Sequence, residues 1–207
     1  MLSAPIIGIG RHRLGIDGEG VTSLVAFHGC TLRCKYCLNR QCFDPDGIWK
    51  TLTVDEVLEA VMPDNIYYLA TGGGLCFGGG EPYLHAEFIK TICDAAPKGW
   101  IFTVETALNY DRKRLELLLP YINYYLIDIK DTNPDIYQRY TGRNNAIVLE
   151  NLRWLLNQKE DMADCVVVRL PLIKDFNTLA DVAKSKALLQ EMGFRKFDEF
   201  VYITQPE

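Results

Sequence analysis

The sequence predicts an α/β protein, a partial (β/α)6 barrel of parallel strands. Two observations carry that prediction. Apolar, β-rich runs alternate with helical patterns along the 207 residues, and each right-handed crossover through a helix returns the next strand parallel to the last. A chain of this length can organise around one core, so residues 1–207 are expected to form a single domain.

Strands are expected near Val21–Phe27, Gly74–Phe77, Trp100–Thr103, Tyr124–Ile129, Cys165–Leu172 and Phe200–Thr204. Helices are expected at Val54–Val61, His85–Ala95, Asp111–Leu118, Ala146–Leu156 and Leu179–Met192, several with apolar residues spaced by three and four. Thr53 is placed to cap the first helix, with Glu56 completing a capping box. Asn145 and Thr178 are placed to cap the later helices, and Gly193 can end the last one in a left-handed turn. The sequence carries neither a low-complexity segment nor a solenoid repeat.

Composition narrows the function. The net charge is −5 and the basic residues are scattered, so there is no electrostatic footprint for nucleic acid. No apolar run approaches the roughly 20 residues of a membrane span. The start, Met1-Leu2-Ser3-Ala4-Pro5, lacks the basic and apolar regions of a signal peptide, so a cytoplasmic protein without membrane partners is expected. Seven cysteines in such a chain point to reduced thiols and a metal rather than a disulfide framework.

Three of those cysteines, Cys30, Cys34 and Cys37, stand in a C-x3-C-x2-C run directly after the first predicted strand. Three thiolates on one short loop can hold three corners of a cubane iron-sulfur cluster and leave one iron open to a ligand. The competing readings are a disulfide with a spare thiol, or a zinc site completed from elsewhere; no second zinc half-site is found in the sequence. Cys76 and Cys165 fall in apolar strand-like runs and Cys93 in a predicted helix, as buried small residues do. Cys42 is left open, close to the loop but off its spacing. The second predicted strand runs into Gly78-Gly79-Gly80-Glu81-Pro82. Its glycines admit a ligand to the backbone and its carboxylate can receive an ammonium group. In parallel α/β folds chemistry collects at the carboxyl ends of the strands, which puts this loop and the cysteines on one rim.

With Tyr36 as its aromatic residue, the cysteine run followed by Gly-Gly-Glu-Pro resembles the radical S-adenosylmethionine enzymes, and most of all the activating enzymes of glycyl radical enzymes, the pyruvate formate-lyase activating type. Asp17-Gly18-Glu19-Gly20 answers to that family's D-G-P-G and Gly29-Cys30 to its G-C. Gly72-Gly73-Gly74 through Pro82 answers to its two-part glycine stretch, Asp128-Ile129-Lys130 to its D-x-K strand end, and Arg169 to Asn177 to its late arginine strand and loop. The chain departs from the family at Leu38, where C-H-N becomes Cys37-Leu38-Asn39, at Glu19, and at Lys174-Asp175, which replace a P-G pair. Tyr202 to Glu207 fall near its L-P-Y-H region, with no terminal helix after them.

The resemblance implies one 4Fe-4S cluster held by Cys30, Cys34 and Cys37, whose open iron is chelated by S-adenosylmethionine. It implies reductive cleavage to a 5'-deoxyadenosyl radical that takes a hydrogen atom from a glycine of a partner glycyl radical enzyme. Gly79, Gly80 and Glu81 would position the methionyl amino group, and Tyr36 would lie near the adenine. Asp128, Lys130 and Arg169 match positions that contact the cofactor or line the site, Lys130 among the catalytic set. Glu105 and Thr106 stand where the family has an Asp-Thr pair beside a monovalent cation. Each has a plainer reading. Glu105 and Asp128 can be strand-end carboxylates satisfied by backbone or by Arg169, Lys130 a solvated lysine, and Arg169 one half of a structural ion pair. His12 and His28 have no spacing that demands ligation. A peptide or small-molecule substrate for the same radical, and a non-catalytic electron-transfer protein, are the alternatives. A cluster of this kind works on the order of −400 mV or below, so a low-potential donor such as flavodoxin or ferredoxin is implied.

Overall fold

The structure, a computed structural model, describes residues 2–204; Met1 and the Gln205-Pro206-Glu207 end of the L-P-Y-H region lie outside the described residues. The predicted α/β class holds. Eight strands form a mostly parallel sheet in the order β3-β1-β2-β4-β5-β6-β7-β8. They are β1 Ser3–Leu14, β2 Val21–Phe27, β3 Lys50–Thr53, β4 Gly74–Gly79, β5 Ile101–Thr106, β6 Tyr124–Asp128, β7 Val166–Leu172 and β8 Lys196–Val201. The helices are α1 Val54–Val61, α2 Asn65–Thr71, α3 Ala86–Ala95, α4 Arg112–Leu118, α5 Pro134–Thr141, α6 Ala146–Leu156, α7 Met162–Cys165 and α8 Leu179–Met192.

The chain divides into two compact units. The first contains Met1–Cys30, Asn39–Thr106 and Asp111–Tyr125. Within it β2 pairs with β4 and β4 with β5, all parallel, while β1 runs antiparallel to both β2 and β3. The register lines up Val25, Phe77 and Val104 on one face of these strands, and all three are fully buried. Val57, Tyr68, Ile89 and Ile92 of α1, α2 and α3 are buried with them. Phe27 packs against Phe77 and Phe88, and Tyr68 meets Trp100 edge on at 4.9 Å. The opposite row is Leu24, Cys76 and Thr103. Gly18, at φ +125°, lies against it so closely that a Cβ would come within 2.7 Å of the Thr103 hydroxyl.

The second unit contains Thr31–Leu38, Ala107–Tyr110 and Leu126–Glu207. Here β7 pairs with β8 in parallel, with Arg169 opposite Asp198. Ile127, Val166, Val168 and Leu170 are buried with Tyr137 and Tyr140 of α5, Leu152 and Leu155 of α6, and Leu189 of α8.

Several sequence expectations need correction. Six parallel strands become eight, because β1 and β3 were not anticipated. Strand β1 interrupts its apolar alternation with Gly8, Gly10 and the Arg11-His12-Arg13 run and carries two register shifts, and β3 has four residues, too short to show a period. Strand β8 lies at 196–201 rather than 200–204; Asp198, Glu199 and Phe200 are exposed, so no buried face marks it. Helices α2, α5 and α7 are additional to the sequence expectation, and Cys165 ends α7 instead of lying in a strand. Thr53 and Thr178 do form capping boxes, with Glu56 and Asp181, and Gly193 ends α8 at φ +112°. Asn145 makes no side-chain cap. Its amide donates to the Thr132 carbonyl at 2.8 Å, and Asn144 instead accepts from the Ala146 amide. Among the described residues no helix is long and apolar enough to cross a membrane.

Candidate active site

In the first unit the site is built where β2, β4 and β5 end. Gly79 closes β4 opposite Phe27 with φ +90°, a left-handed conformation that glycine adopts without a Cβ penalty. The Gly80 amide then donates to the Phe27 carbonyl at 2.9 Å and the Glu81 amide to the Gly29 carbonyl at 2.8 Å. A Cβ on Gly80 would overlap the Gly29 carbonyl oxygen, so the residue preceding Cys30 and the glycine loop touch backbone to backbone. Asn39 holds the same loop from the other side, its amide donating to the Gly79 carbonyl at 2.8 Å.

The Glu81 side chain is buried. One carboxylate oxygen accepts the Thr106 hydroxyl at 2.8 Å and the Tyr83 amide at 3.4 Å. Glu81 thus fastens the loop to the end of β5. Glu105, half-buried on β5, leans its carboxylate toward Gly78, where a Cβ would stand 2.9 Å from it. Cys42 is buried, with its thiol 3.6 Å from the Phe27 carbonyl, which places it in packing beside the loop.

In the second unit the cysteine loop is tied to the end of α5. The Arg33 amide donates to Thr141 at 2.9 Å and the Lys35 amide to Tyr140 at 3.1 Å. Asp128 ends β6 and bridges two cations, accepting from Lys130 Nζ at 2.8 Å and from Arg169 Nε at 2.6 Å. Lys130 is nearly inaccessible, with 8% of its side chain exposed, which excludes the reading of a solvated surface lysine. Burial disfavours charge on both groups, but their mutual attraction wins. The Asp128 carboxyl is held down at about 2, and the Lys130 ammonium is pushed above its ordinary range. Burial pushes the Cys34 thiol up to about 11, against the pull of Lys130. The Lys130 ammonium also lies 5.6 Å from the Tyr202 ring, within cation-π range. Tyr202 is a neighbour that no local pattern in the sequence announces.

Residues 24–184 match the Radical SAM superfamily. The chain belongs to the radical SAM superfamily. It is 32% identical over 179 residues to the (2S)-3-sulfopropanediol dehydratase activating enzyme of Klebsiella oxytoca, covering 84% of this chain and 55% of that protein. It is 32% identical over 146 residues to the pyruvate formate-lyase 1-activating enzyme of Escherichia coli K12, covering 69% and 59%. With the isethionate sulfite-lyase activating enzyme of Nitratidesulfovibrio vulgaris it shares 38% identity over 143 residues, covering 68% and 46%. The chain thus spans about half the length of these curated relatives. The crystal structure of Streptococcus suis SuiB bound to precursor peptide SuiA superposes with a TM-score of 0.65 over 87% of this chain and 38% of SuiB. At 12% identity this shows a shared fold.

Membership in the radical SAM superfamily implies a 4Fe-4S cluster and S-adenosylmethionine, and the donor set fits the cluster. Cys30, Cys34 and Cys37 supply three sulfurs, and none of them is in a disulfide. Among the described residues no three His, Cys, Asp or Glu side chains are gathered closely enough to hold a metal ion. Gly79 and Gly80 are restricted to glycine by the chain's own backbone, since a Cβ would meet Ala26 at the first and the Gly29 carbonyl at the second.

Proposed function

We propose that this chain is a radical S-adenosylmethionine domain that installs a glycyl radical on a partner enzyme. The observation that carries the reading is the backbone junction of the Gly79-Gly80-Glu81 loop with Gly29, which ties that loop to the residue before the first cysteine of the C-x3-C-x2-C run. The activating enzymes among its relatives, at 32–38% identity, support a protein glycine as the substrate over a peptide or small molecule.

Cys30, Cys34 and Cys37 would hold the cluster. When bound, it supplies the electron that cleaves S-adenosylmethionine reductively to a 5'-deoxyadenosyl radical, the species that abstracts the glycine hydrogen. The chain's own residues bind and orient. The backbone of Gly79 and Gly80 receives the methionyl amino end, and Glu81 keeps that backbone in place through Thr106. Lys130 and Arg169 offer positive charge for a carboxylate, with Asp128 fixing both side chains and balancing one of the two charges. Tyr36 presents an aromatic ring for the adenine. A low-potential flavodoxin or ferredoxin would deliver the electron.

The test is electron paramagnetic resonance of the anaerobically reconstituted, reduced protein with and without S-adenosylmethionine, with chromatography for 5'-deoxyadenosine. A cluster signal that changes on adding the cofactor, together with cleavage product, is the expected result. An unchanged signal and no product would favour an electron-transfer protein.

A further inference from the structure

We propose that Asp175 is a positioning residue for Tyr36, holding its ring as the platform on which the purine of an S-adenosyl ligand stacks. The inference deepens the function proposed above and rests on it. Asp175 occupies one of three non-glycine positions with positive φ among the described residues, at +67°. The left-handed region costs most side chains free energy, and aspartate is among the few that visit it. Such strain persists only where the surroundings impose it.

The surroundings here are specific. Asn177 clamps the turn from within, accepting from the Ile173 amide at 2.6 Å and donating to the Pro171 carbonyl at 3.1 Å. Arg139 of α5 donates to the Phe176 carbonyl at 2.6 Å. The tip thus held brings the Asp175 carboxylate to the Tyr36 hydroxyl at 3.3 Å, across 139 residues of chain.

Tyr36 sits between Cys34 and Cys37, and ring contacts orient it as well. Phe176 meets it edge on at 5.6 Å and 85°, and Tyr140 lies tilted at 6.2 Å. Edge contacts leave a ring face to be used, and aromatic faces stack bases regardless of their hydrogen-bonding pattern. Ring contacts by themselves give the hydroxyl end no direction. The phenol-carboxylate bond supplies one, and its cost is the strained backbone at residue 175. Glycine would relieve the strain and lose the bond.

The experiment uses the iron-loaded protein and S-adenosylhomocysteine, followed by anaerobic titration calorimetry, with thermal unfolding of the same samples. Asp175→Gly and Tyr36→Phe should each weaken binding about three- to tenfold, the range of one hydrogen bond. The double variant should be no weaker than either single one. Asp175→Asn, which tolerates the left-handed turn and keeps an acceptor oxygen, should stay within about twofold of the parent protein. Tm of Asp175→Gly should not fall. Unchanged affinity in the Gly and Phe variants, or losses that add in the double variant, would overturn the assignment while leaving the proposed function intact. Failure of the unsubstituted protein to bind S-adenosylhomocysteine would remove both.

Discussion

Asp64 shows how much a single buried carboxylate organises. It is fully buried and accepts from Arg11 Nε at 2.7 Å and Nη2 at 2.6 Å, while His12 Nε2 lies 2.7 Å away and the Ser23 hydroxyl donates to it at 3.3 Å. Tyr68 completes the network, its hydroxyl donating to Ser23 at 2.5 Å. The Arg11 hydrogen bond, aided by His12, outweighs burial and holds the Asp64 carboxyl at about 2, below its ordinary 3.8. A carboxyl depressed by folding adds stability that is complete above the unfolded value and is lost as pH falls toward the folded one. Urea midpoints should therefore decline between pH 4 and pH 2 on account of this group. Asp64→Asn should flatten that decline and cost about 1–3 kcal/mol at neutral pH, because it disrupts the bonds of Arg11 and Ser23. An unaltered pH profile in the variant would show that Asp64 is not the responsible group. At the candidate site, Asp128→Ala would leave Lys130 buried without its carboxylate and should destabilise by about 3 kcal/mol. Chemical denaturation measures it, and a loss below about 1 kcal/mol would mean that the pair is solvated in solution.

Elements differ in how plainly the sequence announces them. The sequence bounds of α6 and α8 coincide with the observed ones, because α6 buries one periodic face and α8 is bracketed by a cap and a glycine, while β2, buried on both faces, shows as a β-rich run between Gly20 and Gly29. Thr178 accepts from the Asp181 amide and Asp181 returns the bond to Thr178, so Thr178→Ala should cost about 1 kcal/mol in urea unfolding. Asp181→Ala should then cost less in a Thr178→Ala background than by itself, because the hydroxyl partner is gone and only the residue 178 amide still donates to Asp181. A fully additive second loss would contradict that. Strand β8 shows the opposite case, for its polar, exposed residues carry the same pattern as a loop. Helix α5 was hidden by its polar run Asp135, Gln138 and Arg139, although Asn133 accepts from two amides at its start and Gly142 stops it at φ +74°.

At the scale of the whole molecule, metal loading should couple to stability. A ligand bound only by the folded chain raises Tm, and more so the further its concentration exceeds Kd, so the anaerobically reconstituted protein should melt above the iron-free protein, and a chelator should reverse the difference. Replacing Cys30, Cys34 or Cys37 with Ala should abolish both the iron content and the gain in Tm. Cys42→Ala should retain both, since Cys42 lies in packing against Phe27. Loss of iron in Cys42→Ala would instead make Cys42 a ligand and close the open iron.

By itself the sequence determined the α/β class, the placement of the cysteine run and the glycine loop after strands, and the residue types offered to a cluster and its cofactor. Those features are local. Periodicity, caps and short spacings act between residues a few positions apart, so they are written into contiguous stretches. Only the tertiary structure decided that Asp128 bridges Lys130 and Arg169, that Arg11 holds Asp64 across 53 residues, and that Asp175 reaches Tyr36 across 139. Such pairs form where burial makes an unpartnered charge costly or a clamped turn delivers a side chain. Both conditions depend on which strands become neighbours, and that is settled by packing the whole chain.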